Sequence, residues 1–295
     1  MQNLPKHGDI IDGFAWKNFR NLFVRLEKGW LIGEVDYVAA EVKVCAMLTD
    51  DDQLIEDTNN DYDQHSHWAN ILFGLNLPLP EVKKLHNDTY RFLAKNNFTF
   101  ANLFGASYKS MAQSMREQEL YVNFVREQHW NKINGIRKGS FNDYLIEFSE
   151  NNIKECQEAF YNRYPNVKLW QDRVIAFYRE HGYVENPFGF RRRQPLQPND
   201  VINFPIQSTS FLILLDSLCD LDDYLINNNF ESYISGQIHD SGYFNLRNHE
   251  AYDVMEIAKE IMTKRPYKWA QKVNLEIDWE IGRCWNKMQG FKLAV

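Results

Sequence analysis

Glu231-Ser232-Tyr233-Ile234-Ser235-Gly236-Gln237-Ile238-His239-Asp240-Ser241-Gly242-Tyr243-Phe244-Asn245-Leu246 is the stretch on which the fold turns. Apolar, β-prone residues flank a short polar centre, so two strands meet at a hairpin with Asp240 in or beside its turn. Far upstream, Leu31-Ile32-Gly33-Glu34-Val35 reads as a short buried strand that delivers Asp36 to the start of a helical stretch. Two strand-end aspartates so far apart in sequence meet only in the folded chain. Such a pair suits divalent metal ions in phosphoryl transfer, because hard oxygen ligands hold Mg²⁺ while substrate phosphates complete its shell.

Between and after these strands the periodicity is mostly helical. Residues 39–48 and Gln64–Phe73 have helical spacing, the second stopped by Gly74. Pro78 and Pro80 introduce one long helix from Glu81 toward Phe104, closed by Gly105. Helical patterns continue over 142–164, 170–180, 201–226 and 250–264, with a hairpin at 183–189 and a last strand over 274–281. Strands early and late with helices between predict an α+β fold, an antiparallel sheet domain interrupted by a helical lobe.

The chain has 295 residues, 44% hydrophobic and 15% aromatic, enough for a large core in one domain or two lobes. Cys45, Cys156, Cys219 and Cys284 are widely separated, which argues against a disulfide framework or a zinc site and for a reducing, intracellular compartment. The polar start Met1-Gln2-Asn3-Leu4-Pro5-Lys6 has no apolar leader, and no apolar run approaches the roughly 18 residues of a membrane span, so no membrane partner is expected. A net charge of −7, from 33 basic and 40 acidic residues, argues against a general nucleic-acid binder. Positive charge is local, at Lys83-Lys84, Arg91 with Lys95, Arg137-Lys138 and Arg191-Arg192-Arg193. Residues 50–63 read as a solvated acidic loop.

Arg91 and Lys95 are spaced i,i+4 and share a helix face, where they can grip a triphosphate. Phe104-Gly105 ends the same helix, and Asp36-Tyr37 and His239-Asp240 stand in order around it. Together these residues resemble the polymerase core of family A DNA polymerases, the DNA polymerase I-like enzymes, over essentially the whole chain. Motif A, D-Y-S-Q-I-E-L-R, is matched by Asp36, Tyr37 and Glu41. Motif B, R-x3-K-x7-Y-G, is matched by Arg91, Lys95 and Phe104-Gly105, and motif C, V-H-D-E, by Ile238-His239-Asp240-Ser241. Gln2-Asn3-Leu4-Pro5 resembles the family's Q-N-I-P, Asp63-Gln64-His65 its D-I-H, and Asn203-Phe204-Pro205-Ile206-Gln207 its N-A-P-I-Q. Taken singly, each has a plainer reading: Asp36 as an N-cap, Phe104 as core, Asn203 and Gln207 as partners of buried backbone. Their order favours the functional one.

The resemblance implies a palm with an antiparallel sheet (1–63 and 184–295) and a helical fingers lobe (64–183), with thumb and exonuclease domains absent. It implies that Asp36, Asp240 and the backbone carbonyl of Tyr37 hold two Mg²⁺ ions, which Mn²⁺ can replace. Arg91, Lys95 and His65 would contact the nucleotide phosphates, Lys95 also donating a proton to pyrophosphate. Glu41 would exclude a ribose 2′-hydroxyl and Phe104 would stack beside the nascent base pair. Asn203, Gln207, Gln237 and His239 would touch the primer terminus or minor groove, and Arg192 and Arg193 the DNA backbone. The implied partners are primer-template DNA and deoxynucleoside triphosphates, with a bacterial host cytoplasm as the location if the chain is phage-encoded.

Several positions depart from the pattern. Eight residues, not seven, separate Lys95 from Phe104, so the helix must absorb one as a π-bulge. Either Thr99 or Phe100 then senses the sugar 3′-hydroxyl. Phe104 replaces a tyrosine, Asn199 an arginine, and Ser241 a glutamate. H-D-S also occurs in single-subunit phage-type RNA polymerases, whereas Glu41 favours DNA synthesis. A thumb ordinarily precedes Q-N-I-P, so either a truncation or a phage-like split subunit is expected, the latter completed by a separate polypeptide with the thumb and an exonuclease domain. A non-catalytic nucleic-acid-binding subunit would not need both aspartates. A metal-dependent nuclease would not need Arg91, Lys95 and Phe104 on one helix.

Overall fold

The computed structural model describes residues 10–11, 14–15, 22–133, 136, 138–193, 195–238 and 240–291. Gln2-Asn3-Leu4-Pro5, Arg137 and His239 lie outside the described residues. The chain divides into two compact units, 1–44 with 206–295, and 45–205, the latter wider at both ends than the span 64–183 read from the sequence. The strands are β1 (Ile10–Ile11), β2 (Phe14–Ala15), β3 (Trp30–Tyr37), β4 (Tyr183–Glu185), β5 (Arg191–Arg193), β6 (Tyr233–Ile238), β7 (Ser241–Arg247), β8 (Ile277–Gly282) and β9 (Gln289–Phe291). With the helices they give the α+β fold expected.

The first unit is built on a five-stranded sheet of order β6-β7-β3-β8-β9, antiparallel throughout. Central β3 pairs Val35 with Gly242 and Trp279, and Asp36 with Ser241 and Asp278. Because side chains alternate along a strand, Gly33, Val35 and Tyr37 share one face while Ile32, Glu34 and Asp36 share the other. The first face is the core: Val35, Phe244, Leu246 and Trp279 are buried, and the Phe244 and Trp279 rings lie 5.0 Å apart. Gly33 and Gly242 keep it flat. A Cβ on Gly33 would come within 2.7 Å of Leu246 Cδ1, and one on Gly242 within 2.9 Å of Leu218 Cδ2.

Leu218 belongs to the helix Pro198–Asn227, which backs this face together with Ala251–Thr263. The Tyr37 phenol ties both helices to β3, lying 2.8 Å from Ser217 Oγ and donating to the Met262 carbonyl at 2.9 Å. The sequence reading found no run near membrane-spanning length, yet Pro198–Asn227 is long and apolar enough to cross a membrane by length and composition. Its apolar residues have a different use here: Ile213, Leu214, Leu218, Leu221 and Leu225 are all buried, each burial worth about 1.5–3 kcal/mol.

In the second unit two expectations give way. Residues 50–63 are not a solvated loop, since the helix Asp52–Asn59 runs through them and Asp51 and Asp57 are only 1% and 4% exposed. Asp51 caps that helix by accepting from Leu54 N, and it also accepts from Asn166 N, both at 2.9 Å. Asp57 accepts from Arg163 Nη2 at 2.7 Å and from the Tyr164 phenol at 2.6 Å. Carboxylates that read as solvent-seeking are satisfied internally. Nor is 81–104 one helix. Leu79–His86 stops at Asn87-Asp88-Thr89, whose short polar side chains compete with helical backbone bonding, and the chain restarts as Tyr90–Leu93, a π-helix Ala94–Thr99 and Phe100–Leu103. The 23-residue helix Phe141–Arg163 starts on a capping box of Ser140 and Asp143, and Pro165 opens the helix Pro165–His181.

Gly105 follows Phe104 with φ +76°, in the left-handed region, and a Cβ there would overlap Ile202 Cδ1. Both effects oppose a side chain. Gly105→Ala is therefore expected to destabilise the protein by about 2 kcal/mol, measured as a lower urea midpoint with an unchanged slope.

Candidate functional site

The polar face of the sheet gathers acid. Ile238 pairs with Ser241, and Asp240 lies in the turn between β6 and β7. Ser241 is in turn the partner of Asp36, which places Asp240 one residue from the position opposite Asp36. On the other side Asp36 faces Asp278 of β8. Like charges directly opposite across a ladder are destabilising, and a divalent cation relieves that repulsion. Glu34 on the same face is already engaged, accepting from the Tyr243 phenol at 2.7 Å and from Trp285 Nε1 at 3.3 Å. Asp240, Glu41, Gln207, Ser210 and Phe211 line an open cleft of about 520 Å³.

Asp36 and Asp240 supply the hard oxygen donors that Mg²⁺ requires, so this donor set fits the metal. The Tyr37 side chain turns to the opposite, core face, where burial raises its phenol pKa well above the ordinary value; only its backbone remains for a ligand role. Gln237 is half-buried on β6. The group of three ligating side chains in mutual reach among the described residues lies elsewhere, at Glu231, His249 and Glu250. Its carboxylates are occupied in the fold: Glu250 accepts from Glu231 N and Ser232 N, and Glu231 pairs with Arg247.

The second unit gathers positive charge and aromatic rings. Asp63 caps the helix Gln64–Phe73, accepting from Ser66 N at 3.1 Å, and so sets the first turn that carries His65. Arg91 donates from Nε and Nη2 to the same carboxylate, at 3.1 and 3.0 Å. His65 is largely buried and its Nδ1 has no partner among the described residues. Burial, together with the nearby charges of Arg91 and Lys95, lowers its pKa to about 4, so the imidazole is neutral near pH 7.

The π-helix Ala94–Thr99 takes up the surplus residue between Lys95 and Phe104, with Phe100 N donating to Lys95 O. It also sets Thr99 and Phe100 in different surroundings. Thr99 is fully buried, whereas Phe100 packs its ring 5.7 Å from His65 and 6.0 Å from Phe104, stacked on the latter at 13°. Lys95 Nζ lies 5.7 Å from the Phe100 centroid. His65, Arg91, Lys95, Phe100 and Phe104 thus form one continuous group.

The remaining sites are more dispersed. Arg192 and Arg193 are exposed on β5, and strand alternation sends them to opposite sides, Arg193 to 5.5 Å from the Tyr183 ring. Asn203 is half-buried, with Oδ1 lacking a partner among the described residues. The sequence reading assigned no role to Asp278, to Asp63, or to Ser210 and Phe211. The alternation in Leu275-Glu276-Ile277-Asp278 carried the signal for Asp278, and the D-x-H triplet that for Asp63; nothing in the sequence marks the other two.

The family model for DNA polymerase family A matches residues 1–287. The chain is 23% identical over 300 residues to DNA polymerase I of Bacillus caldotenax, which covers 97% of this chain and 28% of that one. It is 26% identical over 301 residues to DNA polymerase I of Caldicellulosiruptor bescii, covering 97% and 29%, and 24% identical over 296 residues to the thermostable DNA polymerase I of Thermus aquaticus, covering 97% and 30%. It therefore spans less than a third of the length of these curated relatives. Among solved structures, the POL domain of Pol1 from M. smegmatis, in complex with DNA primer-template and dNTP, is similar in fold with a TM-score of 0.71 at 22% identity, over 97% of this chain and 44% of that one. By its sequence match across nearly its full length, and in keeping with an acidic sheet face and a basic, aromatic helix, the chain belongs to DNA polymerase family A.

Proposed function

We propose that the chain catalyses template-directed addition of deoxynucleotides to a primer 3′-hydroxyl by two-metal-ion phosphoryl transfer. The observation that carries this reading is that His65, Arg91, Lys95, Phe100 and Phe104 lie together although the segment from Lys95 to Phe104 holds a surplus residue. Nothing in a nuclease calls for that group. Asp36, Asp240 and the Tyr37 carbonyl would hold Mg²⁺, which when bound activates the attacking hydroxyl and neutralises the triphosphate. The chain's own groups do the rest. Arg91 and Lys95 take phosphate oxygens, neutral His65 donates or accepts a hydrogen bond without adding charge, and Phe100 and Phe104 offer flat apolar surface to sugar and base. Lys95 would also give a proton to the departing pyrophosphate. Glu41, in the cleft with Asp240, limits the space and polarity beside the sugar. Arg192 and Arg193 serve the DNA backbone, and Asn203, Gln207, Gln237 and His239 the primer end and minor groove.

Primer extension with Mg²⁺ and the four deoxynucleotides tests this reading. Asp240→Asn and Asp36→Asn are each expected to slow extension by about a thousandfold, roughly 4 kcal/mol of barrier; undiminished extension in either variant would overturn it. With Phe100 on the nucleotide face, the protein should prefer deoxy over dideoxy substrates, Phe100→Tyr should narrow that preference by about tenfold, and Thr99→Ser should leave it alone. Equal use of both substrates by the unaltered protein would refute the assignment of Phe100.

His65 gives a pH-dependent readout. Its folded pKa lies below that of the unfolded chain, so the unfolded state takes the proton first, and stability falls as pH drops from about 6.5 toward about 4. His65→Gln should flatten the stability curve across that window. NMR titration of the ring should give an inflection near 4 that moves upward when a triphosphate is added, since its charge offsets Arg91 and Lys95. An inflection at the ordinary value in the free protein would contradict the burial described.

A further inference from the structure

Asp63 does more than end a helix. Its two oxygens accept from Ser66 N at 3.1 Å and Ser66 Oγ at 2.7 Å, which fixes the first turn of Gln64–Phe73 and hence His65. The same oxygens accept from Arg91 Nε at 3.3 and 3.1 Å and from Nη2 at 3.0 Å. One carboxylate therefore joins the start of the helix bearing His65 to the start of Tyr90–Leu93, which bears Arg91. Arg91 is held from its far side as well, with Nη1 donating to Asn87 Oδ1 at 3.2 Å. A guanidinium has five N–H donors. Three are spent on Asp63 and Asn87, leaving one on Nη1 and one on Nη2 for a ligand. Both partners of the pair are mostly buried, Arg91 at 16% and Asp63 at 18% side-chain exposure. Although burial alone would raise the Asp63 pKa, hydrogen bonds from Arg91 and Ser66 hold it below the ordinary value.

We propose that Asp63 is a positioning residue that presents Arg91 and His65 as a preassembled clamp for the triphosphate of an incoming nucleotide. The inference rests on the phosphate-binding role given to Arg91 in the proposed function. A free arginine side chain loses rotamer freedom when it closes on a phosphate, typically about 0.5–1.5 kcal/mol. Here Asp63 and Asn87 impose that loss during folding, so binding does not bear it. Asp63 also removes part of the positive charge of Arg91, so positioning predicts weaker binding when Asp63 is lost, whereas simple competition with phosphate predicts tighter binding. Opposite signs make the two separable.

The experiment is a thermodynamic cycle on the full chain. Dissociation constants for a deoxynucleoside triphosphate are measured by isothermal titration calorimetry for the unaltered protein, Asp63→Ser, Arg91→Ala and the double variant. Serine is a good N-cap but too short to reach the guanidinium, so the helix start is retained and the thermal midpoint is expected to shift by only a few degrees. Arg91→Ala should weaken binding by about tenfold or more, Asp63→Ser by about fivefold, and the double variant should match Arg91→Ala alone, because Asp63 acts through Arg91. Should Asp63→Ser not fold, Asp63→Asn takes its place in the same cycle, keeping the cap and one acceptor but no charge. Unchanged binding in Arg91→Ala would defeat the reading of this face as a phosphate site. Weakening in Arg91→Ala with unchanged or tighter binding in the Asp63 variant, or full additivity in the double variant, would overturn the positioning role alone.

Discussion

The antiparallel register of β3 between β7 and β8 is the constraint on which the catalytic reading depends. A slip of one residue would move Asp36 from the polar face to the core and Val35 in the other direction. The register is fixed from the core side, where Gly33 leaves room for Leu246 and Trp279, Gly242 leaves room for Leu218, and the Tyr37 phenol binds Ser217 and the Met262 carbonyl. Apolar packing on one face thus determines carboxylate placement on the other. The polar face in turn sets Asp36 opposite Asp278 in the ladder, a pairing of like charges that strands do not favour by themselves.

The second unit solves a related problem by pairing its acids instead of crowding them. Asp51, Asp57 and Asp63 come from one acidic segment, and each is used to cap a helix or to hold an arginine or a tyrosine. Buried charges persist only with hydrogen-bonded partners, and here the partners lie far away in sequence, such as Arg163 and Asn166. The consequence is a frame tied together by buried ion pairs and caps, with Asp63 holding Arg91 at its edge.

This explains what was legible in advance. The strand ending at Asp36, the Asp240 hairpin, and the helices Gln64–Phe73 and Ala251–Thr263 are written in local periodicity and punctuation, and each is present. The family was legible because the motif residues stand in the order its members share. Residues 50–63 were misread because their partners are tertiary, and the break at Asn87-Asp88-Thr89 was missed because no proline or glycine marks it. Pro198–Asn227 shows the converse, a helix as apolar as a membrane span because two-layer packing buries it. Asp278 escaped attention because its meaning lies in a cross-strand neighbour that only the register supplies.

A last consequence follows from the π-helix Ala94–Thr99. A π turn confines an added residue to a few wider hydrogen-bonded rings, so that the helix on either side keeps its phase. Lys95 and Phe104 therefore keep their common orientation at a separation that a regular helix would not tolerate. Loss of one residue from this segment would return it to α-helical winding with the flanking faces undisturbed. The length of this segment is thereby uncoupled from the direction in which Lys95 and Phe104 face.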